Sequence, residues 1–568
     1  MNRALIAALL LSTVPAKAAE RWIRLTTPNF EMYTTTDEKT AREAMLHFER
    51  VREFFLAVSP ARVPAGFPTR IVAFRDAQAY QMYAPNQIAA AYYAPGPLRD
   101  SIVMQNPSPE SYPITIHEYF HAVVQNTGLR IPLWLNEGWA DVFSSLKPVH
   151  DGVAVGDLIP DRMKMLQLGQ WFSLNELSVV TTKSTVYNES NRTGMFYAES
   201  WALAHMLYLS PEYKANFGRF VAALNRGQNM QESLQFAWGK SEQQVYADLQ
   251  TYFSRKKLYG TVYLTPFEKA GETPVVSSVS DYDSGLMLAD LHAATGHQAD
   301  AARAYRLLEE QDPKRPDAFA AAGYLGIRFH DPDAARKEFT QALALGTTDV
   351  QMCMQLAALD RAAQQPPAVV MAVLERAVTL RPTFPEALFQ LGLLKVDARD
   401  FDSALDLLSR VTTVPPENAA LFQATFAYVY LQKGELEQAR VHAGIALKSS
   451  GAAGINLAAQ RTIQLADARS RGPGAARSGE KLTRVAGTAV GLRCETPASG
   501  LLSKMGLNVG GKQLLLDLPD VLAVEVDKRP GTTAELKCGP LNQFPLTVEY
   551  AASGVPGQTA GVVRRIEY

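Results

Sequence analysis

Three successive patterns along one chain predict a multidomain fold: an α+β domain, then an all-α solenoid of helical hairpins, then a small antiparallel β sandwich or barrel. The first pattern is a β, β, α opening that turns helical after Pro113. The second is a small residue that returns every 34 or 35 positions between Ala289 and Ala427. The third is period-two alternation of apolar and polar residues from Ala489 onward.

Taken in order, residues 1–18 have the form of a cleaved secretory signal. Arg3 supplies a short positive region, residues 4–11 are apolar without a break, and Ala16-Lys17-Ala18 is a small-x-small cleavage site. The expected location is therefore periplasmic or secreted. No later stretch reaches the roughly 20 apolar residues of a transmembrane helix, because the nearest, 195–209, is interrupted by Glu199 and His205. Lys plus Arg number 56 against 57 for Asp plus Glu, a net charge of -1, so the basic excess needed to neutralise a nucleic acid is missing.

The first domain spans 20–270. Residues 22–27 and 29–34 alternate as strands, 38–58 carry apolar residues at helical spacing, and 69–74 and 100–105 are two further strands. A Pro-, Val- and Ser-rich linker, 271–280, leads into the repeats, 281–468. Ala289, Gly323, Ala358, Gly392 and Ala427 fill a small-residue slot in the first helix of each hairpin, and Ala301, Ala335, Val370, Ala404 and Ala439 fill one in the second. Small residues let two antiparallel helices approach closely, and Pro313, Pro382 and Pro416 end one repeat before the next. A second linker, 469–481, precedes the β domain, 482–568, where Gly510-Gly511 marks a hairpin turn. In an oxidising compartment Cys494 and Cys538 are expected to pair, while Cys353 is expected to pack as a small core residue.

The strongest chemical signal is His117-Glu118-Tyr119-Phe120-His121. Residues four apart share a helix face, so both imidazoles can reach one metal ion with Glu118 beside the metal-bound water. Gly128 and Pro132 mark the end of that helix and the start of the next, which carries Glu137 and, one turn on, Asp141. The pattern predicts His117, His121 and Glu137 as metal ligands, with Asp141 fixing the tautomer of a ligand imidazole.

The repeat spacing resembles tetratricopeptide (TPR) repeats, which implies a concave groove that either holds a protein partner or serves as a spacer. The His-Glu-x-x-His segment followed by Trp134-Leu135-Asn136-Glu137-Gly138-Trp139-Ala140 resembles the gluzincin, peptidase MA-like metallopeptidases related to aminopeptidase N and thermolysin. That resemblance implies a zincin-like catalytic domain holding Zn2+ and hydrolysing a peptide or protein substrate, with Glu118 as general base. By the same resemblance 100–105 is a candidate edge strand for an extended peptide, the alternative being a purely structural strand. Tyr197-Ala198-Glu199-Ser200-Trp201-Ala202-Leu203 is similar to the segment in which these relatives carry a transition-state tyrosine, which implies a catalytic role for Tyr197. The departures are a shorter helix-to-helix spacing, Ser200 in place of Gly, and no Gly-Ala-Met-Glu-Asn segment to anchor a free amino group. The rival expectation is an envelope assembly or adaptor protein that binds partners through its repeats, with a peptidase-like domain that does not cut.

Overall fold

The computed structural model describes residues 21–568 apart from 59–67, 87–88, 97–98, 186–189, 255–257, 266, 268–272, 450–451, 472–478, 495–501, 519–523, 529–533 and 553–558. The signal segment and parts of both linkers thus lie outside the described residues. Two compact units divide the chain, Met1–Thr347 and Thr348–Tyr568.

The first unit contains β1 (Ile23–Thr26), β2 (Phe30–Thr34), β3 (Thr69–Phe74), β4 (Ala91–Ala94), β5 (Ser101–Gln105), β6 (Lys147–Val149), β7 (Gly152–Val155), β8 (Thr261–Tyr263) and β9 (Val275–Ser278). Its helices before the repeats are α1 (Glu38–Val58), α2 (Ala77–Gln81), α3 (Tyr112–Thr127), α4 (Leu133–Ser144), α5 (Pro160–Leu168), α6 (Leu174–Ser178), α7 (Ser190–Leu209), α8 (Phe217–Asn225), α9 (Met230–Trp238) and α10 (Glu242–Phe253). Six strands form one mixed sheet in the order β4-β5-β3-β2-β1-β9. Two expectations are corrected by this order. The segment 100–105 is not an edge, since β5 pairs with β3 on one side and β4 on the other. The segment read as a linker contains β9, which pairs antiparallel with β1, Leu25 opposite Val276.

Alternation along the strands explains how the sheet is covered. Leu25, Met32, Ile71 and Ile102 point into a large core with Phe48 and Phe55 of α1 and Tyr119 and Phe120 of α3. Tyr33, Val72, Phe74 and Val103 face the other way and pack on Met287 and Leu291 of α11 (Asp281–Ala294), the first repeat helix. Gly128, at φ 69°, closes α3 in a left-handed conformation that suits glycine, and the chain re-enters helix at α4 after Pro132. A Cβ on Gly138 would lie 2.0 Å from the Ser200 carbonyl oxygen, so α4 and α7 cross with their backbones nearly in contact.

Two hairpins belong to the first unit, α11 with α12 (Gln298–Gln311) and α13 (Pro316–Arg328) with α14 (Pro332–Ala344). The second unit holds α15 (Val350–Ala362), α16 (Pro367–Leu380), α17 (Pro385–Asp397), α18 (Phe401–Ser409), α19 (Ala419–Lys433), α20 (Leu436–Lys448) and α21 (Ala453–Arg471). Most of the small slots are buried between paired helices: a Cβ on Gly323 would meet the Phe339 ring at 2.3 Å, and one on Gly392 would meet Leu408 at 2.9 Å. The third repeat corrects the count by one position, since Ala357 is buried there and Ala358 is exposed. Cys353 is fully buried in α15.

The C-terminal sheet is built from β10 (Leu482–Cys494), β11 (Leu502–Val509), β12 (Lys512–Asp517), β13 (Glu525–Asp527), β14 (Gly539–Pro540), β15 (Pro545–Ala552) and β16 (Gly561–Glu567). Gly510 and Gly511, at φ 56° and 85°, supply the two-residue turn between β11 and β12. The strand β10 pairs with both β11 and β15, so the ladder curls back on itself. It is joined there by a single parallel pair, Asp517 with Val562, which leaves an incompletely closed sheet rather than a barrel. Cys494 and Cys538 are bonded as a disulfide, with their Cα atoms 5.6 Å apart.

Candidate functional site

The crossing of α3 and α4 brings four of the sequence-selected residues together. His117 and His121 lie one turn apart on α3, with their ring centroids 4.8 Å apart. Glu137 and Asp141 lie one turn apart on α4. The Nε2 of His117 donates to Glu137 Oε2 at 3.2 Å and its Nδ1 donates to Asp141 Oδ1 at 2.9 Å, while His121 Nε2 stands 3.6 Å from Glu137 Oε2. Arg162 of α5 completes the cluster. Its Nε donates to Asp141 Oδ2 at 2.7 Å, and its guanidinium carbon lies 5.0 Å from the centre of the Tyr197 ring.

Burial opposes charge on every one of these groups, and their mutual pairing decides the outcome. Burial would neutralise His117, but its hydrogen bonds with Asp141 and Glu137 hold it protonated well above the usual imidazole range. The His121 imidazole is raised in the same direction against its desolvation, chiefly by the Glu137 charge. Glu137 and Asp141 are held below the usual carboxylate range despite burial, Glu137 chiefly by His121 and Asp141 chiefly by Arg162. Burial pushes Glu118 upward. Its Oε2 accepts a 2.8 Å hydrogen bond from the backbone N–H of Tyr93 on β4, so its carboxylate is engaged with the edge of the sheet.

His117, His121 and Glu137 form a group whose possible ligand atoms lie within 4.8 Å of one another. Two features depart from a zinc ligand set. Ligands held at about 2.0–2.1 Å around one tetrahedral zinc stand about 3.4 Å apart; the two His–Glu137 separations, 3.2 and 3.6 Å, lie near this, but the set as a whole spreads over as much as 4.8 Å. A ligand histidine also normally donates its second ring nitrogen to an acceptor, whereas His121 Nδ1 is buried with no partner among the described residues. As placed, the possible ligand atoms are spread wider than one tetrahedral zinc would hold them.

Sequence reasoning did not find Arg162, which no motif marks, or the short strand β4, whose Tyr92-Tyr93 run offers too little alternation to read. His205 is a packed, hydrogen-bonded histidine: Nε2 donates to the Gly156 carbonyl at 3.0 Å and Nδ1 accepts from Tyr252 Oη at 3.0 Å. Burial pushes its pKa down to about 4.

No protein-family model matches the chain, and no curated protein matches it. Several solved structures resemble part of it. YrrB, described as a TPR protein with an unusual peptide-binding site, is 23% identical with a TM-score of 0.27, over 32% of this chain and 92% of that one. MamA is 19% identical with a TM-score of 0.25, over 30% and 91%. The Pseudomonas aeruginosa pilF protein is 19% identical with a TM-score of 0.24, over 33% and 86%. Likeness at this level assigns neither a ligand nor a role.

These findings correct the gluzincin expectation. The possible ligand atoms at the α3–α4 crossing spread over as much as 4.8 Å, a looser set than a zinc-peptidase centre. The zinc cofactor, the hydrolase and metallopeptidase assignment, and a peptide substrate cut by Glu118 are accordingly not retained. Among the described residues no helix is long and apolar enough to cross a membrane. The central region is a TPR-like array of helical hairpins, an architecture compatible with holding a protein segment in a groove.

Proposed function

We propose that this chain is an exported adaptor that binds a segment of a partner protein along its helical repeats, with an N-terminal domain that does not cut. The single observation that carries the reading is the regular array of helical hairpins, in which the small residues Ala289, Gly323, Gly392 and Ala427 are buried in first helices and recur at a spacing of about 34 residues or its multiple. Such arrays expose extended surfaces on their first helices, suited to a peptide in extended or helical form. The cluster of His117, His121, Glu137 and Asp141, with Glu118 and Tyr197 beside it, serves in this reading as a buried ionic core. It pins α3 to α4 and, through Arg162, to α5. Export follows from the signal-like residues 1–18.

The test is cross-linking of the tagged full-length protein in its own cell envelope, followed by mapping of the cross-linked residues. Cross-links from one partner should fall on α15, α17 and α19. Gln355→Arg with Leu359→Glu on α15 should reduce recovery of that partner while leaving helical content unchanged. Unchanged recovery in a well-folded variant would count against the repeats as the binding surface.

A further inference from the structure

A second surface, on helices α8 and α9 of the first unit, has the makings of a recognition site. The helices α8 and α9 form a hairpin, and at its exposed side stands Phe236, a large aromatic left 46% exposed. Two arginines converge on its ring: the guanidinium carbons of Arg219 and Arg226 lie 4.9 and 5.5 Å from the ring centre. Both are exposed, and neither forms an ion pair among the described residues. A third arginine, Arg130, is brought to the same end by its backbone N–H, which donates to Asn225 Oδ1 at 2.7 Å. The carboxylate nearest in sequence on the same side of α9, Glu232, is engaged in the capping box with Asn229 at the start of the helix.

This combination is unusual for a bare surface. Exposed arginines ordinarily settle against a carboxylate, yet here two are gathered on one ring and left without a counter-charge. Cation–π contact fixes the aromatic and the guanidinium groups together, so little side-chain freedom remains to be lost when a ligand arrives. Guanidinium groups offer forked donors that match carboxylates, and an exposed Phe gives an apolar anchor between them. Arginine and aromatic residues are also the types that dominate the energetics of protein interfaces.

We infer that Arg219, Arg226 and Phe236 form a docking site for an acidic segment of a partner protein, one that carries an apolar side chain between its carboxylates. Charge complementarity argues for the acid, and the exposed ring argues for the apolar residue. A nucleic acid is disfavoured because the chain as a whole is near neutral, at a net charge of -1, and a polyanion is held by a broad basic face. The inference does not rest on partner binding by the repeats, and its failure would leave that reading intact.

Fluorescence anisotropy with the full-length protein tests it, using a labelled peptide of Glu and Leu residues, the same peptide with Gln for every Glu, and a single-stranded DNA oligonucleotide. The acidic peptide should bind, more weakly as salt is raised, and the Gln peptide should bind at least about tenfold more weakly. Arg219→Gln with Arg226→Gln should reduce acidic-peptide affinity at least about tenfold, as should Phe236→Ala, with unchanged thermal unfolding. Equal affinity for the Gln peptide, equal affinity in the folded variants, or tighter binding of the DNA would each overturn the inference.

Discussion

Glu199 offers the most searching test of how the first unit is held together. It lies on α7 with no exposed surface, its Oε2 accepts from the Phe172 N–H at 2.7 Å, and its Oε1 has no partner among the described residues. The groups that feel its charge are Glu176 and Tyr246, neither a cation. Burial pushes its carboxyl up to about 8, partly offset by the Phe172 hydrogen bond, so the folded protein keeps it protonated at neutral pH. The sign of the linkage follows. Below the unfolded value of 4.5 both states are protonated and the group has no pH-dependent effect. Between there and about 8 only the unfolded chain ionises, so stability falls as pH rises, and above 8 the loss levels off. At about 1.4 kcal/mol per pH unit, the loss from pH 4.5 to 7 is at most about 3 kcal/mol. Glu199→Gln keeps the acceptor for Phe172 and removes the ionisation. Its buried NH2 adds a constant penalty of about 1–3 kcal/mol, so the informative quantity is the slope with pH. All six tryptophans, at positions 22, 134, 139, 171, 201 and 238, lie in the first unit, so urea unfolding followed by tryptophan fluorescence reports on it alone. The stability difference between Glu199→Gln and wild type should move in favour of the variant by about 3 kcal/mol over that pH range. Parallel pH profiles for the two proteins would refute the reasoning.

Three further perturbations follow from particular contacts. Asp141→Ala strands both Arg162 and His117 in a buried site and should cost about 3–5 kcal/mol by the same fluorescence measurement. Gly138→Ala places a methyl group against the Ser200 carbonyl and should cost about 1–3 kcal/mol as α4 and α7 are forced apart, read as a lower urea midpoint. Cys494→Ser opens a loop closed across a sequence separation of 44 and should lower the stability of the C-terminal sheet by up to about 4 kcal/mol, read by amide exchange in β10 and β15.

Much of the architecture was legible because its signals are local. The repeat register could be counted from Ala289 to Ala427, and the contacts of Gly323 and Gly392 show why those positions must be small. The helix break at Gly128 and Pro132 placed Glu137 and Asp141 against His117. What escaped was set by partners distant in sequence. Strand β9 reads as a linker because Val275–Ser278 becomes a strand only by pairing with β1 some 250 residues earlier. For the same reason β5 read as an edge, since the strand that covers it, β4, is four residues long and carries no pattern of its own. The motif at 117–121 specified that two imidazoles and a carboxylate would meet, and the structure adds what short motifs omit: the pairing of His117 with Asp141, the clamp of Arg162, and the turn of Glu118 toward Tyr93.

The most direct test of a binding protein that does not cut is to offer it something to cut. Full-length protein is incubated with a mixed-sequence peptide pool in the presence of added zinc, and the pool is analysed by mass spectrometry beside a Glu118→Gln control. An adaptor leaves the peptides intact in both samples while still recovering its partner through the repeats. Cleavage products that accumulate with wild type and vanish with Glu118→Gln would contradict it.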